Sequence, residues 1–156
     1  MFSSKVKQAK TKVMVFPLGD LFFGVRLEQV LKVVAMPNIF KSGEKLLGIT
    51  SFEDQEVVVV DLYQEVFGRP LPKGQGFLLI LDGKDNPYGI TVASLPLLRE
   101  VPYVDLHALP ASYRNRDNLG IASHMFQLSE QDTQKTVFLL DPELLFSISP
   151  DLAVGS

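Results

Sequence analysis

The sequence predicts an all-β fold of two similar small barrels, with short helices at the strand ends. Strand-length apolar runs rich in Val, Ile, Leu and Phe recur at 13–18, 21–27, 46–52, 57–62, 77–81, 88–92 and 137–140. Turn residues such as Gly19-Asp20, Glu53-Asp54-Gln55 and the stretch 82–87 bound them. The intervals leave little room for crossover helices, which favours a barrel or sandwich over a parallel α/β sheet. Four of these elements also recur in the same order, so the chain contains an internal repeat.

Taken in order, Val13-Met14-Val15-Phe16 matches Phe77-Leu78-Leu79-Ile80 at an offset of 64. Phe23-Gly24-Val25 matches Tyr88-Gly89-Ile90 at 65, and Val30 then falls on Leu95. Leu47-Gly48-Ile49 matches Leu119-Gly120-Ile121 at 72, and the run 57–61 matches 137–141 at 80. The growing offset predicts longer loops in the second half, at 102–118 and 129–134. Barrel one is expected over about 12–70 and barrel two over about 71–147, flanked by a basic arm at 1–11 and a tail at 148–156. The apolar–Gly–apolar triplets suit strands that bend at barrel corners or let another backbone approach. Short helices are expected at 28–33, 62–67 and 142–146, the last with Asp141 as cap and Pro142 at the first helical position.

Composition narrows the function. The chain has 156 residues, no cysteine, 46% apolar and 21% charged residues. Disulfides, thiolate nucleophiles, iron–sulfur clusters and cysteine zinc sites are thereby excluded. No apolar run approaches the ~18 residues of a membrane span, and the lysine-bearing start lacks the apolar stretch of a secretory signal, so a cytoplasmic protein is expected. Lys5, Lys7, Lys10 and Lys12 precede the first acidic residue, Asp20; the rest of the chain carries 11 basic and 18 acidic side chains. A nucleic-acid binder shows the opposite balance, because neutralising phosphates drives its affinity.

No set of residues assembles into an active site. His107 and His124 stand too far apart for a helix-borne metal pair. His124 follows Ser123 directly, and neighbours on a strand point to opposite faces, so they are not expected to form a nucleophile and its base. Gly74-Gln75-Gly76 precedes a strand and lacks the lysine and hydroxyl of a phosphate loop. The phenylalanines lie in apolar runs rather than between basic residues, which makes them core and not a stacking platform. No catalytic site, metal or cofactor is expected.

The segment from about Lys12 to Phe146 resembles the chemotaxis coupling protein family, the CheW-like fold. The resemblance starts at the stretch 16–25, a strand, a Gly-acidic turn and a strand with an aromatic–Gly pair. Val30-Leu31-Lys32-Val33 follows the family's Val-x-Glu-Val, and the stretch 48–62 follows its longest signature, which ends in Asp-Leu as here in Asp61-Leu62. The second half matches at 88–92 and 139–145. Departures fall on polar positions: Glu53-Asp54 replaces an Arg-Gly turn, Val58 a Pro, Ala93 an Asp, and Lys32 a Glu.

The resemblance implies two five-stranded SH3-like barrels and a non-catalytic adaptor. It would couple the cytoplasmic tips of methyl-accepting receptors to the regulatory domain of a CheA-type histidine kinase, at arrays on the inner face of the membrane. An adaptor of a pilus-motility or another chemosensory pathway, and a nucleic-acid-binding β-barrel, are the alternatives. The implied partner site comprises Val30, Val33, Ile49 and Leu62 as apolar anchors of a groove between the barrels, with Gly48 beside them and Lys32 and Glu53 as charged selectors. Lys32 and Glu53 carry signs opposite to the family's, which predicts that they face each other as an ion pair.

Overall fold

A computed structural model describes residues 9–41, 47–69, 75–83, 85–110 and 121–147. The basic arm before residue 9, the tail after 147 and residues 111–118 of the expected loop at 102–118 lie outside them. Among the described residues, twelve strands form two six-stranded sheets, each with one two-residue member. They are β1 (Lys10–Leu18), β2 (Leu21–Arg26), β3 (Val30–Ala35), β4 (Phe40–Lys41), β5 (Leu47–Phe52), β6 (Gln55–Val60), β7 (Phe77–Leu81), β8 (Tyr88–Val92), β9 (Leu97–Pro102), β10 (His107–Ala108), β11 (Ala122–Glu130) and β12 (Thr133–Leu140). Helix α1 (Leu62–Phe67) follows β6, and α2 (Pro142–Ser147) follows β12.

The sheets run β10-β11-β12-β2-β1-β9 and β3-β7-β8-β6-β5-β4. Replacing each strand by its repeat mate converts one order into the other. The barrels are therefore not contiguous halves, which corrects the boundary expected near residue 70. Hairpin β1–β2 sits among second-half strands and hairpin β7–β8 among first-half strands, through the parallel pairs β2·β12 and β6·β8. A sequence repeat identifies equivalent strands but not which copy each one pairs with. Parallel neighbours also need a long connection, so pairing partners lie far apart along the chain.

The ladders fix the repeat more finely. Val15 pairs with Gly24, and Ile80 with Gly89, so β1 and β7 are related by 65 residues, not 64. Gly48 pairs with Val59 where His124 pairs with Leu139, so the expected equivalence of Gly48 and Gly120 fails; Gly120 itself lies outside the described residues. Two other expectations are corrected. Residues 30–33 are strand, preceded only by a 3-10 turn at Leu27–Gln29, because Val30, Val33 and Val34 pair with β7. Residues 129–134 are a tight hairpin end, with Ser129 paired to Gln134 across a turn at Gln131-Asp132.

Alternation along the strands sorts the side chains into three cores. Val13, Val15, Phe126, Val137 and Leu139 fill one barrel, and Val57, Val59, Leu78 and Ile80 the other. Between them lies the largest cluster, including Phe16, Phe23, Val60, Leu62, Leu79, Tyr88, Ile90 and Leu140. Gly24 and Gly89 occupy equivalent places, where a Cβ would stand 2.6 Å from Val13 Cγ1 and 2.8 Å from Leu78 Cδ1. Asp61 caps α1 by accepting from the Gln64 amide at 3.0 Å, and Gly68 ends the helix in the left-handed conformation.

Candidate partner-docking face

Strand register places one apolar row across the outer face of the second sheet. Phe40 pairs with Ile49, Ile49 with Val58, Val58 with Tyr88, Tyr88 with Leu81, and Leu81 with Val30. Directly opposed residues share a face. The middle of this row, Tyr88 and Leu81, is buried in the core between the barrels. Its β4 end runs out into solvent, with Val58 half-buried, Ile49 42% exposed and Phe40 75% exposed. Bare aromatic and β-branched side chains continuous with a core offer ready-made anchors for a partner.

The seven expected site residues divide accordingly. Ile49 lies in the open part of the row. Val30 ends the same row on β3 and, like Val33, is half-buried against the inter-barrel core. Gly48 is buried within β5, and Leu62, at 0% exposure, is a core residue with no surface to offer. Lys32 and Glu53 are exposed. They form no ion pair among the described residues; the Lys32 ammonium instead lies 5.7 Å from the centroid of the Phe52 ring, beside the turn that carries Glu53. Phe40 was missed because it stands alone after Pro37-Asn38-Ile39, outside any apolar run. The Thr50 hydroxyl, donating to the Asn38 carbonyl at 2.8 Å, ties that connection to β5.

Ser123 Oγ and His124 Nδ1 lie 2.7 Å apart, contrary to the expectation of opposite faces. A bulge between Ala122 and His124 takes Ser123 out of register and breaks the alternation there. No carboxylate orients this pair among the described residues, so the arrangement of a nucleophile, base and orienting acid is not built. No group of three potential metal ligands occurs among the described residues. Burial raises the Tyr88 hydroxyl far above its ordinary range, aided by Asp141 and Asp82. The hydrogen bond from Arg99 lowers the Glu130 carboxyl below its usual value, with Lys135 adding to the effect. No helix among the described residues is long and apolar enough to cross a membrane.

The family model for the CheW-like domain matches residues 12–149. No curated protein sequence matches the chain. Among solved structures, the fold is similar to that of the scaffolding protein TtCheW from Thermoanaerobacter tengcongensis. The TM-score is 0.74 at 16% identity, over 90% of each chain.

Proposed function

The chain belongs to the CheW-like domain family, whose members are non-catalytic scaffolds of chemotaxis signalling, and from this we propose that it couples receptors to a histidine kinase. One partner is the cytoplasmic tip of a methyl-accepting receptor. The other is the regulatory domain of a CheA-type kinase, and the protein works at arrays on the inner face of the membrane.

The observation that supports this reading is the row Phe40–Ile49–Val58, an apolar stripe that leaves the inter-barrel core and ends in solvent on β4, the last strand of its sheet among the described residues. The row fits an amphipathic helix of a receptor tip, which lays its own apolar stripe against such a row. Lys32 and Glu53, both exposed, serve in this reading as the charges that select among partners.

The experiment is binding of purified receptor tip and kinase regulatory domain to the wild type, Ile49→Glu and Phe40→Ala. Wild type is expected to bind both. Ile49→Glu should weaken the receptor interaction by roughly tenfold or more, since it places a charge at the centre of an apolar contact. Wild type that binds neither partner defeats the proposal.

A further inference from the structure

The two barrel mouths are built alike: Phe52 and Ile39 pack on the interior of the barrel of β3–β8 with the Lys32 ammonium above Phe52, and Phe22 and Leu128 pack on the interior of the other with Lys135 above Phe22. At the mouth of that other barrel, formed by β1, β2 and β9–β12, lies a cavity of about 260 Å³ walled by Val15, Phe22, Leu95, Leu97 and Leu128. Leu97 and the nearby Leu95 and Leu98 are 54%, 57% and 46% exposed. Leu95 and Leu97 line this cavity and are bare, an apolar surface open to a partner, while Leu98 points to the opposite face of β9.

The strand concerned, β9, is the last of its sheet and, among the described residues, pairs only with β1. The Leu98 carbonyl accepts from the Arg99 side chain at 3.0 Å, so it is turned away from the ladder and reachable from outside. An edge of this kind accepts a further strand. Charge says which strand. Arg99 and Lys135 both pair with the single carboxylate of Glu130, which leaves the rim with one positive charge in excess. Lys135 also lies 4.6 Å from the centroid of Phe22, so its charge is held at the cavity wall. Leu97 and Arg99 are two residues apart and share the inward face of β9, and both line the cavity.

We propose that this edge docks an extended segment of a partner protein carrying the pattern apolar-x-acidic. The segment adds a strand beside β9, sends its apolar side chain into the cavity next to Leu97, and sets its carboxylate against Arg99 and Lys135. The surface is separate from the Phe40–Ile49–Val58 row, and the proposal stands whether or not that row binds a receptor.

The test uses the whole chain, isotope-labelled for NMR, and a threonine-rich peptide with one Leu-Thr-Glu triplet. Peptides with Ala for the Leu, or Lys for the Glu, are the controls. Amide shifts are expected along β9 and β12, with affinity at least roughly tenfold lower for each control. Lys135→Glu turns the excess charge negative and should invert the preference between the Glu and Lys peptides, while Leu97→Glu should abolish binding of the Glu peptide. The protein's own spectrum reports that each variant is folded, since both positions are solvent-accessible. Shifts that avoid β9, equal affinity for all three peptides, or self-association of the chain through this edge in place of peptide binding would overturn the proposal.

Discussion

Glu130 holds two cations with one carboxylate. Its carboxyl lies below the ordinary value because the charged form accepts from Arg99, and Arg99→Gln should return it toward the usual carboxylate range in an NMR titration. The sign follows from the lowering: whatever the pair contributes to folding is present above the unfolded-state value and fades as pH falls through the folded one. An unmoved Glu130 titration in the variant would remove Arg99 as the cause. The turn at Glu53-Asp54 offers a second residue-scale outcome. Both residues adopt positive φ, 49° and 64°, as a two-residue hairpin turn between Phe52 and Gln55 requires. Neither is glycine, so Glu53→Asn with Asp54→Gly should stabilise the protein by about 1 kcal/mol in urea unfolding. The turn itself was legible in the sequence. The supposed partnership of Lys32 with Glu53 was not, because opposite signs at two positions say nothing about distance, and an aromatic ring takes the lysine instead.

The strands most easily recognised in the sequence are those buried on both faces. All five residues of β8 and four of the five in β7 are buried, and both read as continuous apolar runs. Strands β3 and β9 carry leucine, lysine, arginine and glutamate on exposed faces, and they escaped because their pattern mixes two environments. The candidate docking residues Phe40 and Ile49 are exposed in the same way, so the candidate site was less legible than the fold for the same reason. Strand β11 escaped because of its bulge and polar residues. The glycines of β2 and β8 were expected to admit a second backbone or a bend, but it is a side chain that approaches each, and their environments differ in a measurable way. At Gly24 the new methyl meets Val13, a β-branched residue with no freedom to turn aside; at Gly89 it meets the end of Leu78, which can rotate. Gly24→Ala should therefore cost about 1–3 kcal/mol and Gly89→Ala less, by urea unfolding. Equal costs would mean that the backbone, not the side chain, absorbs the change.

At the scale of the whole molecule, the exchange of hairpins makes the two barrels one cooperative unit. A fragment covering 9–69 lacks β7 and β8, which stand between β3 and β6 in its sheet. It should show no cooperative unfolding transition alone, and regain one when mixed with the fragment that supplies the second half. A fragment that folds by itself would restore contiguous barrels. Repeat, glycines and turns were enough to recognise two related barrels. The strand exchange was hidden because it depends on long-range pairing that local pattern does not encode. Members of this family are non-catalytic scaffolds, so the proposed function is read through other proteins. The most direct measurement is kinase autophosphorylation with receptor present, with and without this protein. Wild type should make kinase output depend on the receptor, and Ile49→Glu should leave the kinase bound but insensitive to it. Receptor control of the kinase that is the same with and without the protein would contradict the proposed coupling.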